Sequence, residues 1–173
     1  MKNLLALILF ITITFPIFGQ EEIDTVETET STYYFIRHAE KDRSDASNKN
    51  PNLIPKGVLR AAKWSYVLGS VKFDAIYSTD YNRTKQTAAP TAEKQNLEVT
   101  IYDPRNIDAK AFLETTKGQT VLVVGHSNTT PMFVNALLGS KKYEDIKDDN
   151  NANLYIVTIS SSGEMSDTLL LVD

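Results

Sequence analysis

The chain has 173 residues, 42% of them hydrophobic and 23% charged, and contains no cysteine. This suits one globular domain with a real core, and it excludes disulfides and lipid attachment through cysteine. The formal charge of −4 excludes a generic binder of nucleic acid or anionic membrane, so any affinity for anions must come from local clusters of positive groups.

Residues 1–19 read as a secretory signal peptide. Lys2 supplies the positive start, Leu4 to Phe15 the apolar run, and Gly19 the small residue at the cleavage position. The run is short for a spanning helix; an uncleaved anchor is the alternative. The expected location is periplasmic or secreted, with no stable membrane association after cleavage. Residues 20–31, rich in Glu and Thr, read as a flexible leader, and 32–173 as the folded domain.

The first strand is expected over Thr32 to Arg37, followed by a polar loop from Lys41 to Pro55. Pro55 can open a helix whose core face is Val58, Ala61, Ala62, Ser65 and Leu68. A second strand covers Phe73 to Tyr77. The helix after it, Tyr81 to Gln95, is expected to kink or break near Pro90. Leu97 to Tyr102 alternates as a third strand, and Asp108 to Lys117 forms a short helix. Thr120 to Val124 is a buried strand. His126 is expected to open the next helix, with Asn128 or Thr129 as cap and Pro131 in its first turn. Lys141 to Asn153 reads as a polar connection, and Leu154 to Ser160 and Thr168 to Val172 as a terminal strand pair. Strand and helix alternate, which predicts a single three-layer α/β domain with a mostly parallel sheet and helices on both faces.

Only two histidines occur, and each follows an apolar run directly: Arg37-His38-Ala39-Glu40 after Tyr33 to Ile36, and Gly125-His126-Ser127-Asn128 after Val121 to Val124. Ligands of open α/β sheets bind beyond the carboxyl ends of the strands, so both imidazoles are expected at one functional edge. A neutral imidazole is a competent nucleophile, and the planar fork of Arg37 suits phosphate oxygens. Ser78 to Ala88 follows the second strand and brings Arg83 into the first turn of a helix over the same edge.

Together these three segments resemble the histidine phosphatase superfamily, the phosphoglycerate mutase-like fold. The resemblance runs from Tyr33 to Leu138 and implies a phosphomonoesterase of the small single-domain type. It implies that His38 takes the phosphoryl group and that Arg37, Arg83 and His126 surround it. Lys41, three residues after His38, is implied as a further ligand, and Ser127 and Asn128 join the substrate-binding set. Glu40 is expected to orient Arg37 or to donate a proton. Acid-phosphatase relatives carry an Asp directly after the second histidine, where this chain has Ser127. Mutase-like relatives carry a Glu in the segment after the arginine helix, which points first to Asp103 as general acid, then to Asp108 and Glu40. The intervals around Arg83 are too short for a helical cap, so a shallow, open site is expected. A small phosphorylated substrate is expected, with no cofactor, no metal and no nucleic acid; nothing in the chain sets an oligomeric state. The competing functions are a phosphoprotein (phosphohistidine) phosphatase, a non-catalytic phosphate-binding relative and a two-histidine metal site. The last is disfavoured because Arg37 and Arg83 would repel a cation.

Overall fold

The two most apolar runs lie side by side at the centre of one six-stranded sheet. The computed structural model describes residues 29–173. In chain order the elements are β1 (Ser31–Arg37), α1 (Pro55–Val67), β2 (Ala75–Thr79), α2 (Asn82–Gln95), β3 (Val99–Tyr102), α3 (Ala109–Thr115), β4 (Thr120–Gly125), α4 (Thr129–Leu138), β5 (Asn153–Ile159) and β6 (Met165–Leu171). The signal peptide expected at 1–19 and most of the leader lie outside the described residues. Glu29 and Thr30 are exposed, and Ser31 already belongs to β1. Among the described residues no helix is long and apolar enough to cross a membrane.

The strand order is β3-β2-β4-β1-β5-β6. The block β3-β2-β4-β1 is parallel, and β5 and β6 add an antiparallel half. Successive side chains of a strand point to opposite faces. Tyr33, Phe35, Val121 and Val123 therefore meet Phe133, Val134 and Leu137 of α4 and Phe112 of α3 on one face. Ile36, Leu122, Val124 and Ile76 meet Trp64 and Leu68 of α1 and Ala88 and Ala92 of α2 on the other. Each large side chain buried this way contributes about 1.5–3 kcal/mol. The result is the three-layer α/β arrangement expected from the alternation.

Three local expectations are corrected. The buried face of α1 is Gly57, Ala61, Trp64 and Ser65, with Leu68 after it, while Val58 is 56% exposed and Ala62 also faces solvent. Trp64 turns the helix, and Gly57 lets it approach: a Cβ there would sit 2.2 Å from the Glu40 carbonyl oxygen. Next, α2 continues through Pro90 as one helix. Buried Thr84, Thr87, Thr91 and Ala92 hold it on both sides of the proline, and Ser65 Oγ donates to the Pro90 carbonyl at 3.0 Å. Finally, α4 begins at Thr129, so His126 precedes the helix rather than opening it.

Candidate active site

The register of β1 on β4 pairs Arg37 with Gly125, and the His38 N–H donates to the Gly125 carbonyl at 2.9 Å. The two histidines that follow these residues are thereby neighbours, with ring centroids 5.5 Å apart. Gly125 is needed for this close approach. A Cβ there would meet Thr130 Oγ1 at 2.6 Å and the Tyr102 hydroxyl at 3.0 Å. Around the pair opens a cavity of about 670 Å³, lined by Arg37, His38, Lys41, Arg83 and His126, by Ser127 and Asn128, and by Tyr81, Ile101 and Asp103.

His38 is buried, and its Nδ1 lies 2.7 Å from the Ala39 carbonyl oxygen. A carbonyl only accepts, so Nδ1 carries the proton and Nε2 keeps its lone pair. Burial, with the positive field of Arg37 and Arg83, pushes the imidazole down to about 3 despite the Ala39 bond. The ring is therefore neutral at physiological pH, as a nucleophile must be. His126 Nε2 lies 2.9 Å from Thr79 Oγ1, and its Nδ1 accepts from Arg83 at 3.4 Å. Burial and then Arg83, Lys41 and Arg37 push it down to about 4.

Arg37 and Arg83 are both buried beneath this cavity. One nitrogen of Arg37 donates to the carbonyls of Lys147 (2.9 Å), Asp148 (3.2 Å) and Asn150 (2.8 Å), and the other reaches Asp148 Oδ1 at 3.1 Å. Its Nε has no partner. Arg83 has no carboxylate at all among the described residues: its Nε and Nη1 are unpartnered, and its guanidinium stacks 4.4 Å from the Tyr81 ring centroid. Buried cationic donors without acceptors are costly, and their planar forks suit an anion's oxygens. Among the described residues no group of three or more His, Asp or Glu is arranged to hold a metal ion.

The structure brings Arg37, His38, Lys41, Arg83, His126, Ser127 and Asn128 around one cavity. It does not bring Glu40 there. The Glu40 carboxylate takes the Arg60 Nε–H at 2.9 and 3.0 Å, so it holds α1 to the strand end and does not orient Arg37. Asp108 is spent as the N-cap of α3, accepting from the Ala111 N–H at 2.9 Å. Asp103 lines the cavity but is exposed, and hydrogen bonds from Arg105 hold it below the usual carboxylate range. A group so held is ionised at neutral pH and lacks the proton a general acid must give.

Sequence reasoning missed the second rank of the site. Asn151 Nδ2 donates to the His38 carbonyl at 2.8 Å, and Asp148 bridges Arg37 and Arg43. Thr87 Oγ1 accepts from the Ala39 N–H at 2.9 Å and donates to the Arg83 carbonyl. Thr79, Tyr81 and Thr87 lie within the Ser78 to Ala88 segment already singled out. Asp148 and Asn151 had no signal, because nothing in a polar connection tells which strand end it returns to.

A family model for the histidine phosphatase superfamily (branch 1) matches residues 33–105, which include Arg37, His38 and Arg83. Over that stretch the chain is similar to the histidine phosphatase superfamily. Solved structures share its fold. A mycobacterial glucosyl-3-phosphoglycerate phosphatase superposes with a TM-score of 0.65 at 14% identity, covering 83% of this chain and 98% of that one. The protein histidine phosphatase SixA, complexed with tungstate, gives 0.64 at 16% identity, covering 81% and 96%. Phosphoserine phosphatase from Entamoeba histolytica, in complex with 3-phosphoglyceric acid, gives 0.60 at 17%, covering 83% and 97%. No curated protein matches the chain. The superfamily match ends before His126, so the partnership of the two histidines rests on the register of β1 and β4.

Proposed function

We propose that this protein is a member of the histidine phosphatase superfamily, an exported phosphatase that hydrolyses a small phosphate ester through a phosphoryl group carried on His38 Nε2. The observation that carries the reading is the neutral, Nδ1-anchored His38 facing a buried pair of arginines with unpartnered N–H groups. Nε2 donates its lone pair to phosphorus, the bond to the departing oxygen breaks, and that oxygen leaves with the bonding pair. The unpartnered N–H groups of Arg37 and Arg83 offer donors to the equatorial oxygens, with His126 beside them held by Thr79 and Arg83, and such fixed charge stabilisation is most of what phosphoryl transfer needs. Water then attacks phosphorus, Nε2 regains its pair and phosphate leaves. The relatives named for glucosyl-3-phosphoglycerate and phosphoserine are consistent with a small phosphorylated substrate. The apolar run of residues 4–15 supports export to the periplasm or medium.

A second reading, dephosphorylation of a protein phosphohistidine, is favoured by one observation: Asp103 is ion-paired with Arg105 at 3.1 Å, and an imidazole leaving group needs little help from an acid. Rapid-quench sampling of the full chain with p-nitrophenyl phosphate tests the mechanism. An acid-labile phosphohistidine is expected in the wild type and none in His38→Ala, whose turnover should fall by at least about a thousandfold. Turnover retained in His38→Ala would overturn it.

A further inference from the structure

Three apolar side chains of the cavity lining, Tyr81, Ile101 and Pro104, belong to neither core. Tyr81 is 37% exposed and Ile101 is 48% exposed, and Pro104 continues the surface beside them. None of the three packs into the hydrophobic clusters on either face of the sheet. Tyr81 is nevertheless fixed: its ring stands edge-on to His126, 5.1 Å between centroids, and carries the Arg83 guanidinium 4.4 Å from its centre. It therefore touches two of the groups that would hold the phosphoryl group and leaves the rest of its ring to the cavity. A rigid aromatic side chain kept at a site mouth, outside any core, is a surface for something planar or apolar.

The acidic side chains of the same cavity bear on what that surface receives. Asp80 is paired with Lys85 at 2.6 Å, Asp103 with Arg105 at 3.1 Å, and Asp148 with Arg37 and Arg43 at 3.1 and 3.0 Å. Every carboxylate lining the cavity is thus committed to a cation, and those of Asp103 and Asp148 lie below the usual range for that reason. An alkoxide leaving group, nearly as basic as hydroxide at about 15.7, needs a proton as it departs. A phenoxide, at about 10, departs with far less help.

Building on the phosphatase reading above, we infer that the substrate's leaving group is an aromatic ring bearing a phenolic oxygen, seated on the wall of Tyr81, Ile101 and Pro104. In the first step the Nε2–P bond forms as the P–O(aryl) bond breaks. The phenoxide leaves with the bonding pair and takes its proton from water. In the second, water supplies the oxygen that releases phosphate.

The test is steady-state kinetics of the full chain on phenyl phosphate, ethyl phosphate and phosphoimidazole, with Tyr81→Ala, Tyr81→Phe and Ile101→Ala beside the wild type. Phenyl phosphate should exceed ethyl phosphate in kcat/KM by at least about a hundredfold, the lower bound set by leaving-group basicity. Tyr81→Ala and Ile101→Ala should each raise KM for phenyl phosphate about tenfold, the usual cost of one lost apolar contact in a pocket, and Tyr81→Phe should restore it. Ile101 belongs to β3, a different element from the α2 turn that carries Tyr81 and Arg83, so its effect separates the wall from disturbance of Arg83. Equal kcat/KM for phenyl and ethyl phosphate, or an unchanged KM in both alanine variants, would overturn the inference while leaving the phosphatase intact. A preference for phosphoimidazole over phenyl phosphate would move the departing atom to nitrogen and also overturn it. No turnover of any probe, with no phosphohistidine on His38, would instead bring down the phosphatase reading and this inference with it.

Discussion

Arg83 is a cation taken out of water and given no carboxylate in return. Such a group weakens the empty protein, because desolvation of an unpaired charge is not offset. Arg83→Met should therefore leave stability unchanged or raise it by up to about 2 kcal/mol in urea unfolding, while phosphate binding weakens at least about a hundredfold. A variant that loses stability and keeps its phosphate affinity would contradict the role given to Arg83. The histidines make a parallel case. An unfolded histidine takes up its proton near 6.5, whereas His38 and His126 do so at about 3 and about 4. Between these values the unfolded chain binds more protons, so their contribution to stability is whole above about 6.5 and declines as the pH falls towards their folded values. Imidazole NMR signals of both residues should stay in place from pH 8 to about 5. A midpoint near 6.5 for His38 would remove the neutral nucleophile. Sequence alone supplied these residues, because strand ends in an α/β sheet are where ligands bind. It did not supply their protonation, which depends on burial and on which atom faces which.

The helix α1 contributes no cavity residue, yet it supports the site through one glycine and one ion pair. Gly57 lies against the Glu40 backbone, and Arg60 grips the Glu40 side chain two residues past His38. Gly57→Ala should cost about 2–3 kcal/mol in urea unfolding, because the added methyl meets backbone that cannot swing aside. It should lower kcat as well, since the yielding segment adjoins His38, the proposed nucleophile. A change below about 0.5 kcal/mol would show that the helix can shift freely. An apolar periodicity put Val58 and Ala62 on the inner face of α1, because it weighs greasy residues and ignores the one position where having no side chain matters. The same limit hid residues 147–151. Their carbonyls and Asn151 fix Arg37 and His38, but a backbone acceptor has no sequence signature. The strands were readable because each is a short apolar run with one pairing partner on either side. Glu40 and Asp103 were misjudged because two nearby arginines, Arg60 and Arg105, took their carboxylates.

The cavity draws on five separate stretches of chain: the end of β1, the turns after β2, β3 and β4, and the connection ahead of β5. An anion seated there holds all of them together, so binding should be felt by the entire domain. At a phosphate concentration a hundred times Kd the added stability is about 2.7 kcal/mol. In a domain of this size that raises Tm by about 5–10 °C. The shift should vanish in Arg83→Met, and calorimetry with and without phosphate would measure both. A phosphate-independent Tm in the wild type would mean the arginines hold nothing.

The strand that leads into His38 is completed only by elements far along the chain. Ser31 to Arg37 pairs with Thr120 to Gly125 on one side and with Leu154 to Ile159 on the other, and with nothing nearer in the chain. Pairings across such separations form slowly, since the intervening loop must be closed before any contact rewards it. During synthesis the strand ahead of His38 thus emerges before either of its pairing partners. It stays unpaired until the last third of the polypeptide has followed. For a protein proposed to cross a membrane, that delay has a use. Were the chain exported as proposed, the segment bearing His38 would meet the translocation machinery still unpaired, and the site would be assembled only after β4 and β5 had followed.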